Sequence, residues 1–426
     1  MSSSKKEKKT LLQRIGPGFV TGAADDDPSG IGTYSQTGAQ FGYSQLWLAF
    51  FSMPFMIAVQ EMCGRIGMVA GKGLAGVLRE RYSKWVLWTI VSLLFFANSI
   101  NIGADIGAMA AAAQMLFGLP LYVWLFGFVF LILGLELFLS YSTYARILKW
   151  LSFSLVAYII TAFIIKQPWD RIVLATLIPH FSFTLPYMMN IVAVLGTTIS
   201  PYLFFWQADE EVEEEIVRKK ILGFGSLRRP FVTKGDVSDM RQDTFIGMIF
   251  SNIAMFFIIV TAASTLHANG IFEIQTATDA AEALRPLAGQ FTYLLFTLGI
   301  ISVGLLAVPI LAGSASYAIA EAFGWNEGLS KKVREAPAFY AVIAAATVFG
   351  LSVNLIGIPP FKMLYYSAIL NGLIAAPLLY FIVRVASSKE VMGSYANGRW
   401  SNILGWTIFI LMSIAGLSFV GLSIFG

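Results

Sequence analysis

Asp25-Asp26-Asp27-Pro28-Ser29-Gly30 lies in the middle of an apolar stretch running from 15 to 40, and Gly196-Thr197-Thr198-Ile199-Ser200-Pro201 interrupts another, from 186 to 208. A helix that crosses a bilayer needs about 20 mostly apolar residues, so each stretch is long enough only if the chain continues through its own interruption. Proline lacks the N–H that a helix interior uses, and it pushes the residue before it out of the helical region. Each stretch therefore reads as two half-helices joined by unwound backbone. In hydrocarbon such backbone survives only where protein surrounds it or water reaches it. A carboxylate at mid-bilayer costs about 2.5–3.5 kcal/mol on insertion scales, and three in succession point to a cation or to water at this place.

The rest of the chain fits a bilayer as solvent. Of its 426 residues 57% are hydrophobic and 13% charged, against about 25% charged in a soluble domain. Eleven segments qualify as spans, near 15–40, 45–70, 85–113, 119–140, 145–166, 186–208, 243–266, 290–322, 337–356, 361–386 and 402–425. The first has a basic flank but exceeds a signal-peptide core and lacks a small-residue cleavage site, so it reads as a retained helix. With the N-terminus inside, 25 of the 29 Lys and Arg fall on the inner side, as the positive-inside bias requires. The C-terminus then lies outside.

Both interruptions come first in a set of five spans. The expected architecture is all-α and integral to the membrane: a tail over 1–14, a five-helix repeat over 15–185, a second of opposite orientation over 186–386, and a loop with the eleventh helix over 387–426. Inverted repeats headed by broken helices are the plan of secondary transporters. An enzyme is not expected. The chain has one cysteine and two histidines, and no His-Glu-x-x-His, Gly-x-Ser-x-Gly or phosphate-loop motif; no cofactor is implied. The net charge of +4 is spread over short loops, so nucleic acid is not a partner. The bilayer and a transported ion are the expected partners, with no obligatory protein partner.

Within the first break Asp27 is the favoured ligand, because it adjoins Pro28, where unwinding is forced. Asp25 and Asp26 either line an aqueous path, cap the second half-helix or pair with Arg or Lys. In the second break Pro201 frees the carbonyl of Thr197, and Thr198 and Ser200 offer hydroxyls. All are oxygen donors, which suit Mg²⁺ better than a soft metal. Mg²⁺ keeps several waters, and small Ser29, Gly30 and Ser200 leave room for them; the alternative use of small residues is close helix packing. Asn371 and Gln207 are candidates to extend a hydrated-ion shell, and Asp105 to line the path. Glu61 and Arg65, four apart, are expected to pair structurally. The acidic run from Asp209 to Glu215 reads as a solvated helix face, and His180 and His267 as surface residues.

At the two breaks the sequence resembles the Nramp family of divalent metal transporters. Gly16-Pro17-Gly18-Phe19, Asp27-Pro28-Ser29-Gly30, Thr37-Gly38-Ala39-Gln40-Phe41-Gly42-Tyr43, Arg65-Ile66-Gly67 and Gly71-Lys72-Gly73-Leu74-Ala75 follow its opening helices, and weaker similarity continues from Gly304 to Glu321. The departures fall on the family's binding residues. Its Asp-Pro-Gly-Asn signature is kept only as Asp27 and Pro28, and its Met-Pro-His becomes Ser200-Pro201-Tyr202. Asp105 matches a family aspartate, but the glutamate three residues on is Ala108. The pattern is similar to the prokaryotic Nramp-related magnesium transporters.

That resemblance implies a leucine-transporter-type fold in a prokaryotic cytoplasmic membrane, importing Mg²⁺, and also Mn²⁺, by alternating access without obligatory proton coupling. Tyr202 joins the metal-site candidates through it. The membrane potential would supply about 4.6 kcal/mol per divalent ion at 100 mV, twice the value per unit charge. The alternatives are a proton-coupled Mn²⁺ or Fe²⁺ carrier, which needs a soft ligand and a proton relay, and a sodium-coupled symporter of organic solutes, whose anionic substrate the three aspartates would repel.

Overall fold

A computed structural model describes residues 16–138, 155–225 and 230–425. Among these residues every regular element is helical. The first span is broken as expected, into α1 (Pro17–Asp25) and α2 (Pro28–Phe41). Asp26 and Asp27 carry the break, with ψ angles of 49° and 173°. Pro28 is the first residue of α2, the one helical position where its missing N–H goes unused, and Asp27 is the cap in front of it.

Then follow α3 (Trp47–Ala70), α4 (Leu74–Arg81), α5 (Lys84–Phe117), α6 (Leu121–Phe138), α7 (Val156–Ile164) and α8 (Trp169–Leu177). The second broken span is α9 (Leu185–Thr198) and α10 (Pro201–Val217), parted at Ile199 and Ser200 with ψ angles of 63° and 133°. The long helices α11 (Lys234–Thr265), α12 (Thr292–Phe323), α13 (Pro337–Val353), α14 (Pro360–Ser387) and α15 (Arg399–Phe425) complete the chain, with short turns between them.

Nine helical runs among the described residues are long and apolar enough to cross a membrane. The broken first span, with halves of 9 and 14 residues, is not among them, while the second counts as one run from Leu185 to Val217. The fifth expected span, 145–166, is described only from residue 155, where α7 forms its second half. The count of eleven is thus supported at ten places. Two short helices, α4 and α8, were not expected; each links two spans.

The broken helices sit at the centre of the bundle. α1 and α2 pack on α11, α9 packs on α14 and α10 on α3, while α5 packs on α12, α13 and α14. Small residues set these approaches. A Cβ at Gly22 would stand 2.3 Å from the backbone of Gly247, and one at Gly67 would stand 1.9 Å from the Ala208 carbonyl oxygen. Such spacing lets helix backbones touch where apolar burial gives no drive for association.

Glu61 and Arg65 pair as expected, at 2.8 and 2.9 Å, inside a larger network. Arg241 also donates to Glu61 at 2.8 Å, and Arg65 reaches the Tyr395 carbonyl and Asn397. Two expectations are corrected. His267 is partly buried, with Nδ1 2.8 Å from the Ala39 carbonyl oxygen. The acidic run is not a solvated face: Asp209, Glu211, Glu213 and Glu215 are buried, because this turn of α10 is enclosed by α3, α4 and α12.

Asp243 of α11 holds the start of α1. Its carboxylate accepts the backbone N–H groups of Gly16, Gly18 and Phe19 at 2.9, 2.7 and 3.3 Å. These are unpaired donors of a helix N-terminus, where negative charge is favoured. Asp243→Ala removes every acceptor at once. Amide exchange over residues 17–25 is expected to rise about tenfold or more, since charged hydrogen bonds contribute about 1.5–3 kcal/mol each. Mass-spectrometric hydrogen exchange checks this, and unchanged exchange would show that packing alone holds α1.

Candidate metal site

Asp27 stands where the broken helices face each other. Its Oδ1 accepts the Gly30 N–H at 2.6 Å and its Oδ2 accepts the Asn101 side-chain N–H at 2.9 Å, so both the helix start and a neighbouring span fix its carboxylate. Gly30, one turn into α2, leaves a gap. The position its Cβ would take lies 3.1 Å from the Asp25 carbonyl oxygen, 3.4 Å from Asp27 Oδ1 and 3.4 Å from Thr197 Oγ1. Oxygens from both breaks thus converge beside Gly30, closer than a methyl group there would ordinarily stand. The N-terminus of α2, where negative charge is favoured, points at this carboxylate.

The other expected residues are gathered nearby in different roles. Asn371 of α14 donates to Asn101 Oδ1 at 3.2 Å, and Asn101 donates to Asp105 at 3.1 Å. Asn371 is therefore one hydrogen bond removed from Asp27. The Thr197 carbonyl, freed by Pro201, is taken by the Ser200 hydroxyl at 2.6 Å. The side chain replaces the donor the proline lacks. Thr198 Oγ1 turns away from the gap, toward the Val194 carbonyl at 2.7 Å, the Tyr34 hydroxyl at 3.1 Å and the Met255 sulfur at 3.6 Å. Tyr202 donates to the Ala24 carbonyl at 2.8 Å, tying α10 to the end of α1. Pro28 and Ser29 are buried in the first turn of α2.

Asp25 and Asp26 neither pair with a base nor cap α2. Both accept from Ser251 of α11, at 2.6 and 3.3 Å, and each keeps one buried oxygen without a partner, as does Asp105. No salt bridge among the described residues reaches any of the four aspartates. Buried carboxylates without a counter-charge attract a cation. No group of three His, Cys, Asp or Glu side chains among the described residues is arranged to hold a metal. An ion here meets Asp27 together with backbone, hydroxyl and amide oxygens.

Asn101, Tyr34, Ser251 and Met255 were not singled out from sequence. Asn101 had a signal: a polar residue four before Asp105 on an apolar helix shares its face. Met255 had none, being one methionine on an apolar span.

The site is closed. Asp27 is 1% exposed, and above it Leu364 of α14 lies against Gly32 of α2, whose Cβ would come within 2.8 Å of Leu364 Cδ1. Beyond Leu364 a cleft of about 150 Å³ opens between α2, α9 and α14, lined in part by Gln36, Gln40, Met189, Glu273 and Lys362.

Comparison with known proteins agrees with this geometry. The family model "Natural resistance-associated macrophage protein-like", Nramp, matches residues 18–421. The divalent metal cation transporter MntH of Klebsiella pneumoniae strain 342 is 26% identical over 433 residues, covering 99% of this chain and 97% of its own. That of Bacillus subtilis strain 168 is 24% identical over 411 residues, covering 94% and 90%. Among solved structures, the Eremococcus coleocola manganese transporter superposes with a TM-score of 0.73 at 16% identity, covering 99% of this chain and 88% of its own. The transporter Mhp1 in its inward-facing conformation superposes with a TM-score of 0.54 at 13% identity, over 96% and 90%. The fold is thus of the leucine-transporter type, and the chain belongs to the Nramp family, as a multi-pass membrane transporter of divalent metal cations and not an enzyme.

Proposed function

We propose that this transporter imports Mg²⁺, and also Mn²⁺, as a partly hydrated ion, across a prokaryotic cytoplasmic membrane with its N-terminus inside and its C-terminus outside. The observation that carries the reading is the gap at Gly30, bounded by carboxylate, carbonyl and hydroxyl oxygens from both broken helices. Carboxylate, carbonyl and hydroxyl oxygens suit Mg²⁺ and Mn²⁺, and a glycine at 30 beside a single fixed carboxylate keeps side-chain bulk away from an ion that gives up its waters reluctantly. Asp27 is the charged ligand, and Asn101 with Asn371 orients it. The Thr197 hydroxyl contributes from α9 directly, while Ser200, Thr198 and Tyr202 hold the two breaks in shape. Transport is by alternating access around this site, with no obligatory proton movement, since the potential alone favours entry of a divalent cation.

A second reading has its own support. The named relatives carry divalent metal cations, one solved neighbour is a manganese transporter, and the thioether of Met255 lies 3.6 Å from the Thr198 hydroxyl. A sulfur so close to the breaks favours a softer ion. Under this reading the chain is a proton-coupled Mn²⁺ carrier of the ordinary Nramp kind.

Uptake into proteoliposomes separates the two. Mg²⁺, Mn²⁺ and Ca²⁺ are offered in turn at fixed inside-negative potential while internal pH is followed. Entry of Mg²⁺ and Mn²⁺ without acidification is expected. Mn²⁺ entry with acidification and no Mg²⁺ entry would establish the second reading.

A further inference from the structure

The most anomalous buried charge outside the metal site is Asp209, two turns along α10 from the second break. It is fully buried, and neither carboxylate oxygen has a hydrogen-bond partner. Beside it stands Glu321 of α12, which accepts the backbone N–H groups of Gly73 and Gly76 at 2.6 and 2.7 Å. Glu321 therefore caps α4 at a helix start, where negative charge is favoured. Its neighbour is close: the Cβ position of Gly73 lies 1.7 Å from Asp209 Oδ1 and 2.6 Å from Glu321 Oε2. Any side chain at 73 would collide with both carboxyl groups, so a glycine there keeps the place open to them.

Among the described residues no base forms an ion pair with either carboxylate. Arg79 donates to the Glu321 backbone carbonyl at 3.1 Å, and Lys72 pairs with Glu80. The remaining charged and titratable groups nearby are Glu210 and Glu213 on α10, Tyr317 on α12, which donates to Glu213 at 2.8 Å, and Glu327 and Lys331 after α12. From the other elements packed on α10, α3 presents the backbone of Gly67, and α14 presents apolar side chains such as Leu378 and Ile382. Burial, with Glu321 next in effect, pushes Glu327 up to about 10. Two adjacent carboxyl groups without a counter-charge do not both ionise.

We propose that Asp209 and Glu321 form a proton-binding site, with the proton on Asp209 donated to the Glu321 carboxylate. The ligand is a proton because two adjacent buried carboxyl groups without an ion-pair partner do not both ionise, and the test below separates it from a metal ion. The proton joins α10, which begins at the metal site, to α4, the link between the second and third spans. The proposal does not depend on which metal is carried.

The sign follows from linkage. Asp209 is protonated in the folded protein and ionised in the unfolded chain at neutral pH, so stability present at low pH is lost as pH rises through the raised folded value. Thermal unfolding of the full-length protein in detergent, from about pH 6 to about pH 9, provides the test. The wild-type melting temperature is expected to fall across this range. Asp209→Asn, whose amide donates in place of the proton, is expected to fall less steeply and to exceed wild type at the alkaline end, while Glu327→Gln keeps the part of the fall that Asp209 causes.

Parallel curves for wild type and Asp209→Asn would overturn the proposal, as would a flat curve for Glu327→Gln. Millimolar Mg²⁺ or Na⁺ that raises the alkaline melting temperature of wild type but not of Asp209→Asn would also overturn it, by showing a metal ligand. Infrared difference spectra of the wild type need no variant to fold. A carboxylic-acid carbonyl band that vanishes on alkalinisation is expected, and its absence refutes the protonated state.

Discussion

Asp27→Asn is expected to fold as wild type and to carry essentially no metal. The substitution separates two jobs of one side chain. Oδ1 caps α2 through the Gly30 N–H and Oδ2 holds Asn101. Asparagine caps a helix about as well as aspartate, so the start of α2 survives while the charge is lost. Removing one partner of a buried ion pair costs about 3–5 kcal/mol, which lowers uptake by roughly a hundredfold or more at 1.4 kcal/mol per tenfold. Asp27→Ala loses the cap as well, about 1 kcal/mol further, and is expected to be both inactive and less stable. Initial rates in proteoliposomes, set beside melting temperatures, check both. Wild-type transport by Asp27→Asn would move the ion to Asp25 and Asp26, which share Ser251.

The breaks were legible because proline and glycine act locally. Pro28 and Pro201 dictate where a helix cannot continue, whatever surrounds them, and both open the second half-helix as expected. Asp27 was legible for the same reason, as the residue in front of Pro28. Contacts between distant spans were not. Asn101 lies 74 residues from Asp27, and Met255 lies 57 residues from Thr198; nothing local tells which face of an apolar helix turns inward. Ser200 was read as an open ligand, yet its hydroxyl satisfies the carbonyl that Pro201 frees. A hydroxyl beside a broken helix finds the nearest unpaired backbone group first. The acidic run from Asp209 misled most, since such charge ordinarily faces water and here α4 and α12 cover it.

Filling the gap at Gly30 is the experiment that tells a hydrated ion from a bare one. Gly30 is helical and has no positive φ, so alanine fits the backbone without strain and improves the helix by about 0.5–1 kcal/mol. Its methyl would touch the Asp25 carbonyl at 3.1 Å and Asp27 Oδ1 and Thr197 Oγ1 at 3.4 Å, contacts that a shift of a few tenths of an ångström relieves. Melting temperatures measured beside uptake assign any loss of transport in Gly30→Ala to the site and not to unfolding. On the proposed reading, what the methyl takes is room for a water carried by the ion. Mg²⁺ demands near-ideal octahedral geometry and sheds water reluctantly, and displacing an ordered water without replacing its hydrogen bonds loses affinity. Mg²⁺ uptake by Gly30→Ala is expected to fall about tenfold or more, about 1.4 kcal/mol, with Mn²⁺ uptake falling less. Gly30→Val, which adds two further carbons, is expected to close the site to both ions. Competition between the two metals, measured as initial rates at equal concentration, gives the ratio directly. An unchanged ratio in Gly30→Ala would mean that the ion sheds its waters before it reaches Asp27, and the Mn²⁺ reading would then stand in place of the Mg²⁺ one.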